Sequence, residues 1–165
     1  MSNSSFKYAK SLEKTDFKIG IAKSKWNDRY VDMLVDSSVL HLKQNNIKNI
    51  KIIEVPGTWE LVHATNALLE KYECDGVIAI GVIIRGETSH YDLISQNVVS
   101  GLMNLTLKTS KPVTLGILAT ENEAQAEERS NPNKLNKGKE FAQTILEVLN
   151  SVSYTHLTLP TSPHV

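Results

Sequence analysis

Cysteine is almost missing from this sequence: Cys74 stands alone among 165 residues. One thiol cannot build an internal disulfide framework, and the usage fits a reducing, cytoplasmic setting. Cys74 reads as a small, partly buried packing residue. Nor is there an excess of charge of either sign. Lys plus Arg and Asp plus Glu number 18 each, so no global field draws the chain to nucleic acid or to an anionic membrane surface. Long apolar runs are absent as well; the longest, residues 76–84, is about half of what a helix needs to cross a bilayer. The opening residues, 1–16, are polar and read as a flexible arm rather than a signal peptide. His41, His63, His90, His156 and His164 show no ligand spacing and have no cysteine partner, so no metal site is expected. A single domain large enough to bury a core remains, with small molecules or other protein chains as its partners.

What is present is an alternation of two periods. Residues 17–22 form a short predicted strand, and 28–45 carry Val31, Leu34, Val35, Val39 and Leu42 at helical spacing. A second strand, 48–55, is rich in isoleucine and stops at Pro56-Gly57. Residues 59–72 read as a helix with Leu61, Ala64, Leu68 and Leu69 inward, and 75–82 as a strand apolar on both faces. A long helix over 89–107 has Ile94, Val98, Leu102 and Leu105 as its stripe. A fourth strand, 112–119, and two helices, 121–129 and 137–150, follow. Strands separated by helices imply βαβ units. The fold class is therefore α/β: a three-layer, doubly wound, flavodoxin-like four-stranded parallel sheet with helices on both faces. The folded domain spans 17–150. Residues 151–165 lose helical periodicity, carry Pro160 and Pro163, and resemble translated adaptor readthrough; they read as a non-native or disordered tail.

In such sheets ligands bind beyond the carboxyl ends of the strands. The turns at 23–28, 56–60, 81–90 and 120–122 all fall at that edge. Among them, Gly81-Val-Ile-Ile-Arg-Gly-Glu-Thr-Ser-His90 holds the most chemistry. A strand ends at Arg85-Gly86, and free amides at the start of a helix, with the positive end of its dipole, suit an anion. Four residues past Gly86, His90 has the side chain whose ordinary pKa lies nearest neutrality. Taken singly, each of these residues also has a plain structural role. Gly86 can be simple turn chemistry, His90 a packing residue and Arg129 a solvated helix residue. Trp26 can be core, Asn27 a helix N-cap, and Glu60 a helix-dipole partner.

Several short motifs occur in order on these loops: Trp26-Asn27, then Val55-Pro-Gly-Thr-Trp-Glu60, then the 81–90 stretch continued by Tyr91-Asp92. Thr120-Glu-Asn, Glu128-Arg129 and Asn136-Lys-Gly138 follow. With them the chain, from about residue 18 to 150, resembles the lumazine synthase family. The resemblance implies condensation of 5-amino-6-(D-ribitylamino)uracil with 3,4-dihydroxy-2-butanone 4-phosphate. The products are 6,7-dimethyl-8-ribityllumazine, phosphate and water, a step of riboflavin biosynthesis with no metal or other cofactor. It implies His90 as the proton carrier, and Glu87, Thr88 and Arg129 around the phosphate. Trp26, Asn27, Thr58, Trp59, Glu60, Val82, Ile83 and Ile84 would lie at the pyrimidine and ribityl chain. Leu115 and Lys137 would reach that pocket from a neighbouring subunit. Leu115 stands where many relatives carry an aromatic, which would cost ring stacking of the order of 1 kcal/mol. The resemblance also implies a homopentamer, or a decamer or sixty-subunit shell built from it, with sites between adjacent subunits. A non-catalytic flavin- or lumazine-binding protein, or a shell-forming scaffold, is the alternative. A flavodoxin-like electron carrier fits poorly, because residues 23–28 lack a hydroxyl-rich phosphate loop.

Overall fold

The computed structural model describes residues 15–157. The elements run β1 (Lys18–Ser24), α1 (Asp28–Gln44), β2 (Asn49–Val55), α2 (Leu61–Glu70), β3 (Gly76–Ile84), α3 (His90–Thr109), β4 (Val113–Thr120), α4 (Glu123–Ser130) and α5 (Lys137–Leu157). The four strands form one sheet in the order β2-β1-β3-β4, every neighbouring pair parallel. This is the expected α/β three-layer arrangement.

Alternation of side chains along each strand decides which helix covers which face. Ile19 and Ile21 of β1, Ile78, Ile80 and Val82 of β3 and Leu118 of β4 turn to one face. There they pack with Val31 and Leu34 of α1, Ala126 of α4, and Ile145 and Leu146 of α5. The other face is made of smaller residues. Ala22 and Val77 meet Leu61, Leu68 and Leu69 of α2, while Ala79 meets Val98 and Leu102 of α3. The apolar stripe read for α3 is thus its packing face. Among the described residues no helix is long and apolar enough to cross a membrane.

Several boundaries differ from the sequence reading, most by one or two residues, and two of the shifts have a plain physical cause. Helix α2 starts at Leu61, because Thr58, Trp59 and Glu60 form a turn in which Glu60 bonds back to Gly57. Helix α5 continues past Asn150 to Leu157. Ala142, Ile145, Leu146 and Leu149 bury its inner side, and no proline interrupts the sequence until Pro160. The remainder of the arm and of the tail, 1–14 and 158–165, lies outside the described residues.

His41, half-buried in the last turn of α1, gives the fold a pH dependence. Desolvation, and then repulsion by Lys139, pull its pKa below the usual 6.5, outweighing the attraction of a helix C-terminus for a cation. Because the folded pKa is the lower one, stability is fully present above the unfolded value and is lost as pH falls through the folded one. Denaturant midpoints of the native protein should fall below about pH 6.5, with a weaker fall in His41→Gln. An identical acid dependence in the variant would place the sensitivity elsewhere.

Candidate active site

The sheet order places the site. Helix α1 covers one face and α2 and α3 the other, so the connections leaving β1 and β3 part in opposite directions. This opens a crevice between the carboxyl ends of these adjacent strands. Pairing of β3 with β1 ends at Ile80 opposite Lys23, whereas pairing with β4 runs on to Ile84 opposite Thr120. The β1-facing backbone edge of residues 81–84 therefore has no strand partner. Val82 is buried and Ile83 and Ile84 half-buried along it.

The loop after β1 lines the crevice. Lys25 N–H donates to the Val55 carbonyl at 2.8 Å and Trp26 N–H to that of Pro56 at 3.1 Å, which extends the β1–β2 pairing beyond the strands. The Trp26 ring is left 74% exposed, so it is no core residue. Asn27 has φ 60° and ψ 39°, a left-handed conformation that asparagine tolerates better than most residues. It stands at the N-cap of α1, yet its side chain makes no cap bond. Instead its Nδ2 donates to the Val82 carbonyl at 2.7 Å, bridging the crevice. The capping role suggested by the sequence is therefore replaced by a contact across 55 residues of chain.

Below this loop, Lys23 is held by Asp32 at 2.6 Å and Glu54 at 3.2 Å. Desolvation lowers its pKa, but the bonds to Asp32 and Glu54 prevail and raise it. In the loop after β2, Thr58 is buried and Trp59 is 57% exposed. Glu60 Oε2 accepts from Gly57 N–H at 2.9 Å, which leaves Oε1 available for a ligand hydroxyl. At Gly81 a Cβ would stand 2.9 Å from both Leu61 Cδ1 and Thr58 Oγ1, so a larger residue would make one of these side chains shift.

The turn at 85–90 is exposed throughout. His90 N–H donates to Thr88 Oγ1 at 3.3 Å, while Ser89, at the N-cap, makes no side-chain cap bond. Gly86 has no positive φ, so left-handed backbone is not what places a glycine there. A Cβ at Gly86 would meet nothing within 4 Å, which leaves space beside its backbone. Glu87, Thr88 and His90 lie in sequence along this open turn. Arg85, not singled out by sequence reasoning, bonds to Glu121 and Asp92. The Asp92 bonds, chiefly, raise its pKa against a desolvation that would lower it. Asp92, seven residues on in the same stretch of sequence, was the available signal.

Leu115, Arg129 and Lys137 stand apart from these loops. Leu115, 47% exposed, lies five residues before the end of β4, or about 16 Å along the strand from the carboxyl edge. Arg129 donates to its own helix, to the Gln125 carbonyl at 3.2 Å. Lys137 pairs with Glu140 at 2.8 Å. Among the described residues, none of the three hydrogen-bonds or ion-pairs with the 25–27 loop or the 86–90 turn. One chain thus gathers Trp26, Asn27, Thr58, Trp59, Glu60, Val82, Ile83 and Ile84 around the crevice, with Glu87, Thr88 and His90 on the adjoining turn.

Comparison with known proteins agrees with this geometry. Residues 16–153 match the family model described as 6,7-dimethyl-8-ribityllumazine synthase. The 6,7-dimethyl-8-ribityllumazine synthase of Limosilactobacillus reuteri is 42% identical over 132 residues, 80% of this chain and 87% of that protein. Proteins of the same name from Porphyromonas gingivalis and Aquifex aeolicus are 41% and 37% identical, covering 81% and 87% of this chain and 84% and 94% of theirs. A crevice at the expected strand ends, in a chain matched from residue 16 to 153, places it with them: the chain belongs to the 6,7-dimethyl-8-ribityllumazine synthase family.

Proposed function

We propose that the chain condenses 5-amino-6-(D-ribitylamino)uracil with 3,4-dihydroxy-2-butanone 4-phosphate, giving 6,7-dimethyl-8-ribityllumazine, phosphate and water. The observation that supports this best is the backbone edge of 81–84, which has no strand partner on the β1 side and gives only its Val82 carbonyl to Asn27, flanked by the Trp26 ring and continued by the 86–90 turn. A flat ring with amide-like edges would stack on Trp26 and exchange hydrogen bonds with that edge. Glu60 would accept from ribityl hydroxyls, and the polar rim around Thr58 and Trp59 would complete this end. The phosphate would sit at the amides of Glu87 and Thr88, at the positive end of α3. His90, at the head of that helix, would carry protons between amine, imine and enol as the ring closes. The chemistry asks for no metal or other cofactor if backbone dipoles and a guanidinium neutralise the departing phosphate.

Arg129, Lys137 and Leu115 would enter the site of an adjacent subunit, in a pentamer that can assemble further. Their separation from the crevice of their own chain supports this. So do Leu93, Val99, Met103 and Leu107, large apolar residues left exposed on α3. The same reading puts the chain's work in the cytoplasm, where a lone thiol such as Cys74 would stay reduced.

The test combines both substrates with purified protein and follows lumazine absorbance above the uncatalysed rate; flavin or lumazine binding without product would favour the scaffold reading. Co-assembly of His90→Ala with Arg129→Ala tests the shared site. In randomly mixed rings about a quarter of sites would regain both intact halves and with them activity. No recovery in mixed assemblies would put both residues in one subunit's site.

A further inference from the structure

The 85–90 turn has little of its own to hold it in place. All six residues are exposed, Ser89 makes no side-chain cap bond, and Gly86 lies in open space. What anchors it is Arg85. Its Nε donates to Glu121 Oε2 at 2.8 Å, and its two terminal nitrogens face Asp92 Oδ2 and Oδ1 at 3.4 and 3.3 Å. The guanidinium carbon lies 4.2 Å from the centroid of the Tyr91 ring, and the Arg85 backbone N–H donates to the Thr120 carbonyl at 2.9 Å. These contacts join the end of β3, the first turn of α3 and the β4–α4 connection. A planar fork occupied on two edges and one face has a fixed orientation.

We propose that Arg85 is a positioning residue for the phosphate end of the site: by holding Asp92 against Glu121 it fixes the first turn of α3. This rests on the reading of 86–90 as the phosphate turn. Asp92 is two residues beyond His90 in the same turn of a 20-residue helix, so holding Asp92 also sets the His90 backbone and the amides before it. Arg85 itself is engaged by two carboxylates and acts on the substrate only through the turn. Lysine is no substitute, because an ammonium cannot span both carboxylates and stack on Tyr91 at once.

The test uses full-length protein in its native assembly, with Arg85→Gln, Arg85→Lys and the pair Asp92→Asn/Glu121→Gln. The probes are inorganic phosphate as an inhibitor, both substrates, and hydrogen exchange of residues 86–92. Arg85→Gln should raise the inhibition constant of phosphate and the KM for the four-carbon phosphate by about tenfold, the scale of a misplaced binding group. The KM for the amine should stay unchanged, and exchange of 86–92 should quicken. Arg85→Lys should not rescue, the carboxylate pair should shift the same quantities in the same direction, and combining all three changes should add nothing further. Tighter phosphate binding in the carboxylate pair, with weaker binding in Arg85→Gln, would overturn the proposal and make Arg85 a direct phosphate ligand. Unchanged exchange in Arg85→Gln would also overturn it. Absence of product with wild-type protein would defeat the condensation reading instead, and the exchange comparison would still decide the clamp.

Discussion

Replacing His90 by alanine is expected to lower kcat by about a hundredfold or more, within the usual 10²–10⁴ range of a positioned acid–base group. Both KM values should change far less. The His90 imidazole takes no part in the contacts described for the turn: the backbone N–H donates to Thr88 Oγ1, and the side chain is exposed. Truncation should therefore leave the turn and its amides where they are and remove only the imidazole. An interaction used in the transition state alone appears in kcat and kcat/KM together, whereas one used for binding appears in KM. A variant with unchanged kcat and a raised KM for the phosphorylated substrate would make His90 a binding residue. His90→Gln separates the two further: it keeps hydrogen-bonding capacity but cannot shuttle a proton near neutrality, and should be about as slow as the alanine variant.

The contrast between His90 and Asn27 shows what could be read from sequence. The strand–turn–helix that presents His90 is local. An apolar run, Gly76–Ile84, buried but for its last two residues, is followed by polar residues, and each part signals its own conformation. Helix α3 was legible for the same reason, since Val98, Leu102 and Leu105 recur at helical spacing and are buried. Asn27 has equally good local credentials as an N-cap, but its amide finds a carbonyl 55 residues away. No spacing rule foretells that choice. The bond from Arg85 to Glu121, 36 residues apart, is hidden likewise. Gly86 errs the other way, because a glycine at a turn suggests a left-handed backbone that is not adopted here. As for Leu115, Arg129 and Lys137, the place proposed for them depends on a second copy of the chain, and the resemblance rather than the spacing singled them out. What local chemistry dictates is legible, and what arises only when distant segments meet is not.

Gly138→Ala should be the most destabilising single methyl addition in the chain. A Cβ there would overlap the Leu34 carbonyl oxygen and stand 2.9 Å from both its carbonyl carbon and its Cα. All three are backbone atoms, so no rotamer change relieves the clash, and α1 and α5 would have to move apart. That separation would also stretch the bond from Ser38 Oγ to the Gly138 carbonyl, 2.7 Å long and buried. Overpacking of a close helix contact costs about 3 kcal/mol or more when the backbone must yield. For a chain of this length that corresponds to a melting point lower by roughly 10 °C, compared at one protein concentration because assembly contributes to stability. Gly86→Ala is the control: no atom lies within 4 Å of the added methyl and φ is not positive. Its melting point should stay the same or rise slightly through a less flexible unfolded chain. On the proposed function the helix contact also bears on turnover, because Gly138 fixes the first turn of α5 and hence Lys137, which pairs with Glu140 one turn on. Gly138→Ala protein that still folds at low temperature should lose turnover, through misplaced Lys137, out of proportion to its folded fraction. Wild-type turnover per folded chain would remove Lys137 from the site and leave Gly138 a purely structural glycine.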